Sequence, residues 1–238
     1  MQNNVKKRII ESKKKIENRI EDTKNKIKSL DFDAHWYRRV FHTFGACFVI
    51  YYLVPENIDW MQFLKFWLPP ILVIIALSLE LLRIKGFLSS NHFFGLRYYE
   101  QKRLGSYVYF AVGALLLLIF FPQQIAIPCI LCASLGDPII GEARIRFNKK
   151  IAYLLGFIVC LFFFMITFYK SNIILFIFAS FIGATGALIG EIKKFTYIDD
   201  DFMIQILPAV LLGLIWISLP YLGLSEPDII IHPLIWPW

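Results

Sequence analysis

The sequence reads as an all-α, polytopic helical membrane protein of about seven transmembrane helices, preceded by a basic amphipathic helix. Three observations predict this. Hydrophobic residues make up 58% of the 238 and charged residues only 18%, with a mean hydropathy of +0.59, well outside the composition of an ordinary soluble domain. The apolar runs are continuous and about 20 residues long, the length a helix needs to cross a bilayer, whereas a transmembrane barrel would show short alternating segments. Finally, the bases alternate by loop: twelve lie between the amino terminus and Arg39 at the start of the first span, five lie in 83–105, four in 144–150 and two at 193–194, while the loops between contribute only Lys170.

That alternation sets an orientation. By the positive-inside rule the amino terminus is cytoplasmic and the carboxy terminus outside, in the cell membrane of a prokaryote or the endoplasmic reticulum of a eukaryote. It also accounts for the net charge of +7 without nucleic acid as a partner, because the bases serve as topology signals. The four cysteines, Cys47, Cys129, Cys132 and Cys160, all lie in apolar stretches, so they read as small buried hydrophobes; Cys129-x-x-Cys132 lacks the second pair a zinc site would need.

The elements follow in order. In residues 1–34, Val5, Ile9, Ile16, Ile20 and Ile27 recur with an eleven-residue period on a strongly basic helix, which would lie on anionic lipid, pair with a partner helix (a second copy included), or remain solvated. The membrane domain, 35–222, holds spans at about 38–54, 63–82, 106–121, 125–142, 151–169, 173–191 and 202–222. Pro69-Pro70 predicts a kink or break in the second. Small residues from Gly183 to Ala187 and at Gly190 let the sixth approach a neighbouring helix, or a ligand, closely. An extracytoplasmic tail, 223–238, ends in tryptophans suited to an interface.

Polar residues gather at the cytoplasmic ends of these spans: Arg39, His42, Glu80, Arg83, the whole 84–105 loop, Asp137, Glu142, Lys149, Glu191 and Asp199 to Asp201. Intramembrane acids usually face a bundle interior or wet cavity, because a carboxylate at the centre of the hydrocarbon costs about 2.5–3.5 kcal/mol on insertion scales. Carboxylates with bases at one membrane face suit a divalent cation and a polyphosphate: Mg²⁺ takes carboxylate oxygens and shares the rest of its shell with phosphates. On composition alone, a cation transporter fits as well as phosphotransfer.

The order of motifs separates these two. Arg38-Arg39-Val40-Phe41-His42 resembles the R-K-x-x-H opening of the dolichol kinase, phytol kinase and CTP-dependent diacylglycerol kinase family. Glu100-Gln101-Lys102-Arg103-Leu104-Gly105, then Tyr109 to Gly113, is similar to the segment before that family's glycine-aspartate motif. Gly136-Asp137-Pro138 with Gly141 resembles its G-D-x-x-A-x-x-G core, and Glu191 followed by Asp199-Asp200-Asp201 resembles its closing E…D-D-N element. Order and spacing agree over about 38–215. Where the family continues N-K-S-x-E-G-S, this chain has Asn148-Lys149-Lys150-Ile151-Ala152-Tyr153-Leu154. Either Glu142 and Lys150 take over the missing roles, or activity is reduced or altered.

The resemblance implies a CTP-dependent kinase that phosphorylates the terminal hydroxyl of a membrane isoprenoid alcohol, with diacylglycerol as the rival lipid. It implies Mg²⁺ held by Asp137 with one of Asp199, Asp200 and Asp201, and catalytic roles for Asp137, Asp200 and Glu142. Nucleotide contacts would come from Arg39, His42, Glu100, Arg103, Gly136, Gly141, Lys149 and Glu191. A cytidylyltransferase forming a CDP-lipid, and a non-catalytic membrane protein or transporter, are the other classes the residues admit.

Overall fold

A computed structural model describes residues 39–88, 100, 103–192 and 198–235; the expected amphipathic helix at 1–34 and most of the 84–105 loop lie outside them. The described residues are helical with no strand. The elements are α1 (Arg39–Leu53), α2 (Asp59–Ile84), α3 (Ser106–Phe120), α4 (Gln123–Leu131), α5 (Asp137–Arg146), α6 (Lys149–Phe168), α7 (Ile173–Ile192) and α8 (Asp200–Ser218). A π-turn over Cys132–Gly136 joins α4 to α5 as one continuous span.

Among the described residues, five helices have the length and apolarity to cross a membrane: α2, the α4–α5 unit, α6, α7 and α8. The remaining two expected spans are the shorter apolar helices α1 and α3. In α1 the last eight residues, Ala46–Leu53, are 3₁₀. Their steeper rise stretches the helix to roughly 26 Å, close to a hydrocarbon thickness of about 30 Å. The fifteen residues of α3 reach only about 22 Å at the α-helical rise.

Prolines act differently at two places in the fold. Of the kink or break expected at Pro69-Pro70, the break is absent: α2 continues through both. Within a bilayer the freed carbonyls have no water to leave for, so a helix tolerates proline better than it does in solution. Pro138, in contrast, changes the winding. It has no N–H for the carbonyl of Ser134 and its ring crowds that carbonyl, so the preceding turn widens and the Asp137 N–H donates to Cys132 O, five residues back. The Gly136-Asp137-Pro138 signature is thus a local device that turns Asp137 out of the regular helical register.

The core sits around α4, whose residues from Gln124 to Ile130 are all buried. Phe110, Leu117, Phe164, Phe168, Ile204 and Leu212 pack around it. Helices α7 and α8 approach most closely: a Cβ on Gly190 would stand 2.5 Å from the Met203 carbonyl oxygen, and one on Gly186 would stand 3.0 Å from Pro208 Cα. The small-residue run therefore serves helix packing. By contrast α2 buries only Val73, Glu80 and Arg83, and shows apolar residues on most of its surface, as suits a helix facing lipid.

The tail returns over the end of the bundle where α1 finishes and α4 begins. Gln124 Nε2 donates to the Pro227 and Asp228 carbonyls at 2.7 and 2.9 Å, Gln123 exchanges hydrogen bonds with Ile231, and Leu234 N–H donates to Leu53 O at 3.0 Å.

Candidate functional site

At the opposite end, three helices bring polar side chains to one point. His42 is on the second turn of α1, Asp137 follows the π-turn, and Asp201 lies in the first turn of α8. His42 Nε2 is 3.2 Å from Asp201 Oδ1 and 3.9 Å from Asp137 Oδ2, and the three ligand-type atoms all lie within 4.8 Å of one another. His42 and Asp201 are 2% and 1% exposed and the Asp137 side chain 18%, so the cluster is interior with Asp137 nearest the opening.

The imidazole is held from below. The Phe110 ring lies 5.6 Å away, centroid to centroid, and tilted by 32°. Phe110 is itself fixed, because Gly45 leaves the room its ring occupies and its carbonyl accepts from Gln205 Nε2 at 3.3 Å. The same amide donates to Asp201 O at 2.9 Å, tying the floor of the site to α8.

The three consecutive acids divide their work. Asp199 caps α8 by accepting the Asp201 N–H at 3.1 Å, as an ordinary helix-start aspartate would. Its carboxyl is hydrogen-bonded to Asp200. Burial first, then that hydrogen bond and the charge of Asp201, push it up to about 9. Asp201 turns inward to His42. Asp199, Asp200 and Asp201 form a second group of ligand-type oxygens within 4.8 Å, sharing Asp201 with the first.

The glutamates engage arginines. Arg39 pairs with Glu142, which also accepts from Arg146 Nε at 2.6 Å, and Arg144 pairs with the buried Glu191 while lying over the Tyr153 ring. Arg39–Glu142 and His42–Asp137 form successive rungs between α1 and α5, which therefore run in opposite directions past each other. Arg39 Nη2 and Arg144 Nε make no hydrogen bond among the described residues.

The remaining sequence-derived positions are dispersed in role. Glu100 and Arg103 give backbone carbonyls to Arg83 Nη2 at 3.0 and 2.6 Å; the Glu100 side chain is buried and that of Arg103 exposed. Gly136 is buried against Cys160, while nothing lies within 4 Å of where a Cβ of Gly141 would be, one turn beyond Asp137. Lys149 is exposed in the first turn of α6, which Asn148 caps through the Ile151 N–H at 2.9 Å.

One buried pair has more structural weight than its sequence setting indicates. Arg83 donates to both Glu80 oxygens, Nε at 2.8 Å and Nη2 at 2.6 Å. Glu80 also accepts from the Gly105 N–H and from Tyr107 Oη at 2.8 Å. The signal was a Glu and an Arg three residues apart at a span end, which places both on one helix face.

His42, Asp137 and Asp201 could together hold a divalent cation: two aspartate oxygens are the hard donors such an ion takes, and cis ligands about 2.1 Å from an octahedral centre stand ~3.0 Å apart, near the 3.2 Å from His42 Nε2 to Asp201, whereas the 3.9 Å to Asp137 is wider.

Fold and site together define a helical bundle of membrane-spanning dimensions with an imidazole-carboxylate centre at one end. No protein-family model, no curated protein and no solved structure matches the chain.

Proposed function

We propose that this chain is a CTP-dependent lipid kinase, transferring the γ-phosphoryl group to the hydroxyl of a membrane isoprenoid alcohol at the cytoplasmic end of the bundle. One observation carries the reading: Asp137 and Asp201, 64 residues apart in sequence and on different helices, share one histidine. The resemblance in motif order suggests the reaction class and the donor, and the convergence of these residues supports the reading.

Asp137 and Asp201 would hold Mg²⁺. When bound there, the ion would neutralise phosphate charge as it builds in the transition state. Asp200, beside that pair, would accept the hydroxyl proton as the lipid oxygen bonds to the γ-phosphorus and the bond to the β-phosphate oxygen breaks, releasing CDP. Arg39, held by Glu142, would direct its open Nη2 at the phosphates, and Lys149 would meet them from the cytosolic side. The space beside Gly141 leaves room next to Asp137.

The test uses detergent-purified protein with γ-labelled CTP and a panel of polyprenols, phytol and diacylglycerol. Label in the lipid with CDP released in equal amount supports the proposal, and the preferred acceptor names the substrate. Release of pyrophosphate with formation of a CDP-lipid would assign a cytidylyltransferase instead. No turnover of CTP with any lipid, by protein whose melting confirms it is folded, would overturn the reading.

A further inference from the structure

We propose that His42 is a metal ligand together with Asp137 and Asp201, and that the site therefore selects a first-row divalent ion such as Mn²⁺ over Mg²⁺. The inference deepens the phosphotransfer reading and rests on it only for the use of the ion; binding itself needs no substrate.

The geometry points beyond a simple histidine-aspartate hydrogen bond. One carboxylate would satisfy Nε2, yet a second oxygen from a different helix stands 3.9 Å from the same nitrogen. Three donors on α1, α5 and α8 thus surround one point, and His42 and Asp201 are almost wholly out of solvent. The imidazole is also oriented in advance by the Phe110 ring, and that ring by Gly45 and Gln205. Packing of this kind holds the ring in place before an ion arrives.

Ligand chemistry then sets the preference. Mg²⁺ seeks an all-oxygen octahedron and gains little from an imidazole, whereas nitrogen donors favour the first-row ions. Three protein donors leave about three positions of an octahedron for water or phosphate oxygens. Asp137 is the most exposed of the three.

Electron paramagnetic resonance of the full chain with Mn²⁺ alone reads this directly. The expected result is one tightly bound Mn²⁺ whose pulsed spectrum carries ¹⁴N coupling from a directly bound imidazole. Labelling with ¹⁵N-histidine should convert that coupling to the ¹⁵N pattern, which needs no substitution and so cannot be confused with misfolding. His42→Gln should abolish the coupling and weaken Mn²⁺ binding about tenfold or more, while Mg²⁺, measured by competition, loses about threefold or less. Mn²⁺ bound without nitrogen coupling, unchanged Mn²⁺ affinity in folded His42→Gln, or no Mn²⁺ bound by the wild type would each overturn the proposal. Nitrogen-coupled Mn²⁺ in a protein that transfers no phosphate would uphold this ligand set while overturning the kinase reading.

Discussion

Glu80 and Arg83 are buried one turn apart, and between them they hold the carbonyls of Glu100 and Arg103, the Gly105 N–H and the Tyr107 hydroxyl. The pair therefore fastens the segment before α3 to the end of α2. Removing one partner leaves a buried charge, which typically costs about 3 kcal/mol or more, whereas replacing both with apolar residues of similar volume is often near neutral. Glu80→Ala should accordingly lower the melting temperature in detergent clearly, and Glu80→Leu with Arg83→Leu should recover part of the loss, by the same melting measurement. At this scale the sequence was legible as to residue type but not role. Three adjacent aspartates marked an acidic turn, yet which of them caps α8 and which faces His42 depends on the turn geometry at 199–201. Asp199→Ala should cost about 1 kcal/mol through the lost cap, and Asp199→Asn much less, because asparagine caps equally well.

Among the elements, α7 and α8 meet where neither can yield. Gly190 would have to drive a methyl group into the Met203 carbonyl, backbone against backbone, so Gly190→Ala should cost about 1–3 kcal/mol as the helices separate. Gly141→Ala, which meets open space, should melt as the wild type does or slightly higher; thermal unfolding of the two variants side by side checks both. The close approach was readable from the density of small residues between Gly183 and Gly190. The π-turn was not, although its cause, a proline after Asp137, stands in the sequence: periodicity reports which face a residue lies on, not that one turn has gained a residue. Pro69-Pro70 do not break α2, since proline rules drawn from water overstate a break inside lipid.

Across the whole molecule, alternating bases and long apolar runs implied that groups distant in sequence meet at one end of a helical bundle. The coordinates bring together His42, Asp137 and Asp201 there, with Arg39–Glu142 and Arg144–Glu191 as further pairs. Seven spans were expected, of which five helices have full crossing length and two are shorter, a distinction that hydropathy cannot make when helix ends and 3₁₀ winding set the span. Pairing of particular acids with particular bases was equally out of reach, because it depends on how the helices are packed side by side. If the cluster is one centre, its members should act as a unit, and substitutions in it should not multiply.

Rates of phosphoryl transfer from CTP in Asp137→Asn, Asp201→Asn and the double variant, each shown to be folded, test this most directly. Either single change should lower kcat/KM by about a hundredfold or more, and the double variant should be no worse than the weaker single within about threefold. Wild-type rates in either single variant, or a double variant whose loss equals the product of two independent losses, would contradict it.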